Sequence, residues 1–476
     1  MTDFAIRGVI EGFYGKPWAH EDRLWLLERM GRWGMNSYMY APKDDPLHLA
    51  RWREPYPEAQ LAEFRALVAA GERSGVAVGF AVSPGRSIVY SDRQERAALV
   101  AKLGAFHALG ARVLALGVDD VPSNLLHEAD RRAFRSLADA QLLLLREVHD
   151  AFGRDTQLWL SPTDYLGVEP TDYLEELGER LDPAIEVAWT GRTVLAPDIS
   201  AHEAAARAKT LRRRVLLADN TPVADGPMRC MLHLNPYTGR DRALAAHVSG
   251  ILLNPMEQAR ASAITLRCAA EYMADPRGYD AERAWARAVD ELGEAVAPAL
   301  RLFAQAHRFS PSTSDDRDRE LERALARPSE NLDELEVLLS ARLAANATLR
   351  AGLADARLLA ELAPWLDSHA AETRRMQAAI GGLRALETGT PRSARVLGIV
   401  GFEGKLTREP IPNKTSYGPR RVLYPQLVSM RDETMSFGAD PSLYTDRCLS
   451  DALIRYVERR ALELLGADSA PRSSRA

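Results

Sequence analysis

The fold is decided by a short pattern that recurs along the chain, and its clearest copy is ARVLALGVDDVPSN (residues 111–124). Its apolar first half ends abruptly at two carboxylates, Asp119 and Asp120, and Pro122 follows them. A short apolar run that ends in turn residues and precedes a longer amphipathic stretch is typical of a buried strand in a parallel sheet. The pattern therefore places both carboxylates at the carboxyl end of a strand.

The same alternation of an apolar run and a helical pattern occupies the chain from residue 4 to residue 273. The eight apolar runs are FAIRGVIEG (4–12), MNSYMYAP (35–42), VAVGFAVSP (76–84), ARVLALGV (111–118), TQLWLSP (156–162), AIEVAWT (184–190), RRVLLAD (213–219) and HVSGILLNP (247–255). Helical spacing is found over 19–33, 57–73, 92–109, 129–152, 171–180, 201–209 and 256–273. Strand and helix repeated in this way predict an α/β fold, a (β/α)8 TIM barrel. An open, doubly wound sheet is the alternative.

The pattern changes after the barrel, where ADPRGYD (274–280) has the composition of a junction. From residue 281 to about 386 helical spacing dominates, as in 332–353 and 358–386, and SPSTSDD (310–316) is predicted to be an exposed loop. Residues 388–447 fit no clear element, and a last helix is predicted over 451–465. The predicted domains are therefore a catalytic barrel (1–275), a mainly helical domain (281–465) and a flexible tail (466–476).

Composition and charge exclude several classes of protein. The 476 residues carry a formal net charge of −5, so no excess of Lys and Arg is available to pair with nucleic-acid phosphates. No signal peptide and no membrane-spanning run is visible, and the three scattered cysteines have no disulfide or metal spacing, which together predict a cytoplasmic protein. The ten histidines include no HxH and no HExxH, and no dinucleotide fingerprint is present, so we expect neither a metal nor a cofactor.

The sequence GVDD (117–120) is the strongest candidate for chemistry. Adjacent residues of a regular strand point to opposite faces, so Asp119 and Asp120 can reach one site only if the strand has already ended. Adjacent carboxylates repel each other, and one of them therefore tends to keep its proton near neutral pH. Glycoside cleavage needs this pairing of an acid with an anion. The alternative is structural: Asp120 begins a turn and Asp119 pairs with a lysine.

Polar groups follow all eight predicted strands. They read Glu11-Gly12, Lys43-Asp44-Asp45, Ser83, Asp119-Asp120, Ser161-Pro162-Thr163-Asp164-Tyr165, Trp189-Thr190, Asp219-Asn220 and Asn254. The loops at the carboxyl ends of barrel strands converge on the barrel axis, so we expect these groups to surround one site.

Several of these stretches resemble glycoside hydrolase family 84, the family of O-GlcNAcases and bacterial β-N-acetylglucosaminidases, some of them labelled hyaluronidases. The resemblance is carried by GVIEGFYGKPW (8–18), NSYMYAPKDDPLHLARWREPYP (36–57), SPGRS (83–87), GVDDVP (117–122), SPTDYLG (161–167), WTG (189–191), DNTPVAD (219–225), NPYTGRD (235–241) and LLNPME (252–257). It spans the whole predicted barrel in order, and no motif of the helical part contributes to it.

The resemblance implies a substrate-assisted mechanism that retains the anomeric configuration. Asp119 would orient and polarise the substrate's own 2-acetamido group, whose oxygen attacks the anomeric carbon to form an oxazoline. Asp120 would act first as general acid and then as general base. Tyr165 would lie against the reacting centre, and Asn220 would help to place Asp119 and the acetamide.

The resemblance also implies which residues bind the sugar hydroxyls: the backbone carbonyl of Gly12 and the side chains of Lys43, Asp225 and Asn254. Two positions depart from the family pattern. Ala218 stands where a Trp usually walls the acetamide pocket, and Ala224 stands where an Asn usually precedes the sugar-binding Asp. The shape of the pocket is therefore expected to differ from that of the family.

Three functions follow as hypotheses. The first is an exo-acting β-N-acetylglucosaminidase whose partner is a β-linked GlcNAc glycoside or glycoprotein, and Asp225 favours it because a grip on the 4- and 6-hydroxyls closes the pocket. The second is an endo-acting hexosaminidase on hyaluronan-like or chitin-like polymers. The third is a catalytically silent carbohydrate-binding barrel, which would be expected to lose Asp119 or Asp120. The helical faces permit a homodimer but do not require one.

Overall fold

The computed structural model describes residues 4–153, 155–312 and 319–388, and a few positions between 453 and 463. Within these residues eight parallel strands close into a barrel, each paired with its neighbour in sequence and β8 with β1. The strands are β1 Ile6–Glu11, β2 Ser37–Tyr40, β3 Ala77–Val82, β4 Val113–Gly117, β5 Gln157–Ser161, β6 Glu186–Trp189, β7 Val215–Asp219 and β8 Val248–Leu253. The prediction of a (β/α)8 barrel is confirmed, and the alternative of an open, doubly wound sheet is wrong.

Helices surround the barrel at the predicted places. They are α1 His20–Arg32, α2 Glu58–Ser74, α3 Arg93–Ala108, α4 Glu128–Ala133, α5 Leu137–Phe152, α6 Asp172–Arg180, α7 Ala201–Leu211 and α8 Ala259–Ala274. The single helix predicted over 129–152 is in fact two helices. The chain is extended at Phe134, and the Ser136 side chain then accepts a hydrogen bond from the Asp139 N–H, which starts a new helix.

The barrel interior is filled by inward-facing side chains that form one buried cluster. Its fully or mostly buried members are Ile6, Met39, Ala41, Ala81, Val113, Trp159, Leu216 and Leu252. Such a filled interior makes the barrel a rigid support, so the chemistry has to take place at its end, in the loops that follow the strands.

Helices continue after the barrel and pack against it. They are α9 Ala281–Gly293, α10 Ala297–Gln305, α11 Arg319–Ala326, α12 Leu332–Gly352 and α13 Ala356–Thr388. Trp285, Phe303 and Leu366 from these helices belong to the same continuous buried core as the barrel. The helical character of this region is confirmed, whereas the domain boundaries at 275 and 281 stay predictions.

The prediction of an exposed loop over 310–316 is wrong for residues 310–312, which are buried. Ser310 and Ser312 are each 1% exposed, because the Arg240 guanidinium donates to the Ser312 carbonyl and the two serine hydroxyls bond each other. Residues 313–316, 389–447 and the tail over 466–476 lie outside the described residues. Most of the helix predicted over 451–465 does so too, although Leu453 and Val457 pack with α11, α12 and α13. In the described part of the chain, no helix is both long and apolar enough to cross a membrane.

Candidate active site

A cavity of about 180 Å³ opens at the carboxyl ends of the barrel strands. Each strand, or the loop that follows it, contributes at least one side chain to its wall. All eight site residues predicted from the sequence line it: Gly12, Lys43, Asp119, Asp120, Tyr165, Asn220, Asp225 and Asn254. The structure therefore brings together residues that are spread over more than 240 positions of the chain.

The two adjacent carboxylates reach the same cation. Strand β4 ends at Gly117, and Asp120 adopts a left-handed backbone conformation with φ of 55°. Because the chain turns here, the two side chains do not have to point to opposite faces as they would in a strand. The Lys43 Nζ atom lies 3.1 Å from Asp119 Oδ2 and 3.5 Å from Asp120 Oδ2. Although burial disfavours the cation, the charges of both carboxylates raise the pKa of Lys43, so Lys43 remains protonated.

Asp119 is held in an environment that disfavours its charge. Its Oδ1 atom is buried and meets no hydrogen-bond donor within the described residues. Burial raises the pKa of Asp119 above its ordinary value, and the negative charge of Asp120 adds to the rise, whereas Lys43 opposes it. A donor that approached this carboxylate would therefore be strongly favoured.

Asp120 is oriented by two tyrosine hydroxyls. Tyr14 donates to its Oδ2 atom and Tyr165 to its Oδ1 atom, each over 3.1 Å. Burial and the charge of Asp120 raise the pKa of both tyrosines, so both hydroxyls keep their protons and remain donors. Tyr14 was not among the residues predicted from the sequence, and it stands in an irregular turn after β1. Tyr14 lies in EGFYG (11–15), one of the stretches that carry the resemblance, and this position could have marked it as a candidate.

Asn220 and Asn254 lie next to each other in the cavity wall, and a hydrogen bond between them orients their amides. Asn254 accepts from the Gly12 N–H over 3.2 Å and donates through Nδ2 to Asn220 Oδ1 over 3.0 Å. Asn220 in turn donates to the Val194 carbonyl over 2.8 Å. Because each amide has both a donor and an acceptor partner, both side chains are held ready for a polar ligand.

Asp225 lies where the loop between β7 and β8 reaches the cavity. Its Oδ2 atom accepts from the Tyr14 N–H over 2.9 Å. Burial raises the pKa of Asp225, and this backbone hydrogen bond only partly offsets the effect. Like Asp119, it is a carboxylate that a donor such as a sugar hydroxyl would stabilise.

Some polar residues at the strand ends do not take part in the site. Glu11 is fully buried and pairs with Arg23, and Asp45 accepts from the hydroxyls of Tyr40 and Tyr56. Asp219 likewise pairs with Arg240, with the two side chains 2% and 1% exposed. These carboxylates stabilise the barrel wall, and the expectation that every polar strand end faces the site is wrong for them.

The part of the wall near Asn220 is apolar. Ala218 lines the cavity, as do the aliphatic side chains of Val194, Leu195, Val223 and Met228. Ala224 instead points into the buried core and is absent from the lining. Among the described residues, no cluster of three or more His, Cys, Asp or Glu side chains is arranged to hold a metal ion.

The chain is similar to several known proteins. A family model described as beta-N-acetylglucosaminidase matches residues 7–305. The Protein O-GlcNAcase of Rattus norvegicus and that of Mus musculus are each 35% identical to the chain over 254 residues, which is 52% of this chain and 28% of each relative. The matched part therefore spans little more than a quarter of these curated relatives.

Solved structures resemble the chain over more of its length. A mutant O-GlcNAc hydrolase from Thermobaculum terrenum superposes with a TM-score of 0.81 at 30% identity, covering 98% of this chain and 99% of that chain. The structure of CpGH84B superposes with a TM-score of 0.78 at 26% identity, covering 96% of this chain and 77% of that chain.

Proposed function

The chain belongs to glycoside hydrolase family 84, the β-N-acetylglucosaminidase family, and we propose that it removes a terminal β-linked N-acetylglucosamine from a glycoside or glycoprotein. The observation that carries the proposal is the pair Asp119 and Asp120, which shares one lysine inside a cavity lined by residues from all eight strand ends. A substrate-assisted glycosidase needs an acid for the leaving oxygen and an anion that stabilises the positive charge of the acetamide.

In the proposed reaction the acetamide of the substrate is the nucleophile. Its oxygen forms a bond to the anomeric carbon while the glycosidic bond breaks and Asp120 donates its proton to the leaving oxygen. Asp119 accepts a hydrogen bond from the acetamide N–H and offsets the positive charge of the forming oxazoline. Water then adds to the anomeric carbon, Asp120 takes its proton, and the acetamide is restored with retention of configuration. No third carboxylate is needed as nucleophile.

Substrate binding itself would favour the charge that Asp119 needs. Burial raises the pKa of Asp119, whereas the mechanism needs this carboxylate to be anionic. An acetamide N–H that donates to Asp119 would replace the missing donor and lower the pKa of that carboxyl. An anionic Asp119 would then be available to support the acetamide.

The size of the cavity favours exo action over the endo-acting alternative. At about 180 Å³ it is smaller than the roughly 300–1,000 Å³ of sites that enclose drug-sized ligands, so a single sugar fits it better than a polymer segment. Asp225, as a ligand of the 4- and 6-hydroxyls, would close it beyond the terminal sugar. A silent carbohydrate-binding barrel is disfavoured because both aspartates and their hydrogen-bond partners are in place. The homodimer and the cytoplasmic location stay predictions.

The direct test is turnover of 4-nitrophenyl β-glycosides that differ only at C2. The N-acetylglucosaminide should be hydrolysed, whereas the glucoside should not, because it lacks the acetamide nucleophile. Equal turnover of both sugars would contradict substrate assistance, and turnover of neither would favour the binding protein.

A further inference from the structure

The helices after the barrel hold the loop that presents Asp225 to the cavity. This β7–β8 loop (residues 220–247) contains a short 3-10 turn, Gly226–Cys230, which begins directly after Asp225. The turn is closed at its start by a hydrogen bond from the Met228 N–H to the Asp225 carbonyl over 2.9 Å. Met228 itself lines the cavity. The position of the carboxylate thus depends on how the two ends of the turn are fixed.

Two buried tryptophan side chains hold the backbone at the end of the turn and just after it. Trp365, in α13, donates through Nε1 to the Cys230 carbonyl over 3.0 Å. Trp285, in α9, donates through Nε1 to the Leu234 carbonyl over 2.7 Å. The two tryptophans are 4% and 3% exposed, so water cannot readily replace either partner. Each contact fixes a backbone carbonyl of the β7–β8 loop.

The rest of the loop is bound to the same helices. The Leu234 N–H donates to the carbonyl of His307, directly after α10, over 2.8 Å. Leu232 and Leu234 are fully buried in the core that also contains Trp285 and Trp365. The loop cannot shift without disturbing these helices, which therefore support the cavity wall without lining it.

We propose that Trp365 is a positioning residue for sugar binding, acting through Cys230 and the 3-10 turn on Asp225. The turn is held at Cys230 by the Trp365 indole, and the Asp225 carboxylate is held by the Tyr14 N–H. This inference rests on the proposed function, because it assigns Asp225 to the hydroxyls of the terminal sugar. It gives the helical region a role in substrate affinity.

The test is Trp365→Phe, which keeps a buried aromatic ring but removes the indole N–H together with part of the ring volume. Loss of one hydrogen bond should raise KM for 4-nitrophenyl β-N-acetylglucosaminide by about two- to tenfold while kcat changes much less. The matched control is Trp33→Phe, because the Trp33 indole also joins the barrel to the helices, through Glu291, but neither residue lines the cavity. The control should leave KM unchanged.

A double-mutant cycle separates positioning from general loosening of the structure. In an Asp225→Asn background, Trp365→Phe should add little to the rise in KM, because the group that it positions has lost its charge. Full additivity, or an equal effect of Trp33→Phe, would overturn the inference. If Trp365→Phe does not fold, Trp285→Phe tests the same loop through Leu234. Failure of the wild-type enzyme to cleave the substrate would instead count against the proposed function.

Discussion

At the scale of single residues, catalysis depends on the charge of Asp119. Burial raises the pKa of Asp119 in the free enzyme, and a bound acetamide should lower it again. Asp119 must be anionic to act, so activity falls as pH drops through its pKa. We therefore predict that the acidic limb of kcat, which reports the bound enzyme, lies at lower pH than that of kcat/KM, which reports the free enzyme. Acidic limbs at the same pH would show that the substrate does not lower the pKa of Asp119.

A second prediction concerns Ala218 and the length of the N-acyl group that the cavity accepts. It lines the cavity at the position where the resemblance implies a Trp in family members, and the lining also contains the apolar side chains of Val194, Leu195, Val223 and Met228. We expect the enzyme to accept N-butanoyl as well as N-acetyl glucosaminides, and Ala218→Trp should restore a preference for N-acetyl. Each methylene that no longer fits should cost about 1–3 kcal/mol, so the effect should be graded with acyl length. A wild-type preference as steep as that of the Ala218→Trp variant would mean that the aliphatic residues already fill the gap.

At the scale of elements, the strand ends serve stability as well as chemistry. The buried pair of Asp219 and Arg240, at the end of β7, is joined by the Tyr237 hydroxyl, which donates to Asp219 over 2.7 Å. Asp219→Ala leaves the arginine buried without its counterion and should lower the free energy of unfolding by about 3–5 kcal/mol. Asp333→Asn is a control, because it removes a pair whose carboxylate is 90% exposed and should cost less than about 1 kcal/mol. Urea denaturation of both variants makes the comparison, and equal losses would contradict it.

The same strand ends show how far the sequence could predict the site. Strand ends could be read from apolar runs that stop at polar residues, which placed Asp119, Asp120, Lys43 and Asn254 at one edge of the barrel. The runs do not reveal which polar residue has a buried partner. Glu11 and Asp219 pair with arginines 12 and 21 positions further on, and only the tertiary structure brings those arginines to them.

At the scale of the whole molecule, the barrel and the helical region meet at a titratable contact. Glu361, in α13, accepts hydrogen bonds from the Arg260 and Ala261 N–H groups in the first turn of α8. Burial raises the pKa of Glu361 to about 7, in spite of these two N–H groups, and the charge of Asp22 adds to the rise. Because the pKa is higher in the folded state, the stability that Glu361 contributes is complete below the unfolded-state pKa and is lost as pH rises through about 7.

Glu361→Gln removes this titration and provides the measurement. The free energy of unfolding of the wild type, relative to that of the variant, should fall by up to about 3 kcal/mol between pH 4 and pH 8. The difference between the two proteins should be flat if Glu361 titrates in the folded state as it does in the unfolded chain. If the free energies of unfolding of the two proteins depend on pH in the same way, Glu361 does not make the contact between the barrel and the helices pH-dependent.

The roles of Asp120 in proton transfer and of Asp119 in support of the acetamide can be separated by leaving-group dependence. The measurement is kcat/KM of Asp120→Asn and Asp119→Asn across aryl and alkyl N-acetylglucosaminides of graded leaving-group pKa. Asp120→Asn should be impaired by about 10²–10⁴-fold on poor leaving groups and much less on dinitrophenyl or fluoride substrates, because good leaving groups need no acid. Asp119→Asn should slow all of them by similar factors, since oxazoline formation needs its charge in every case. The same dependence in both variants, or the reverse assignment, would contradict the account.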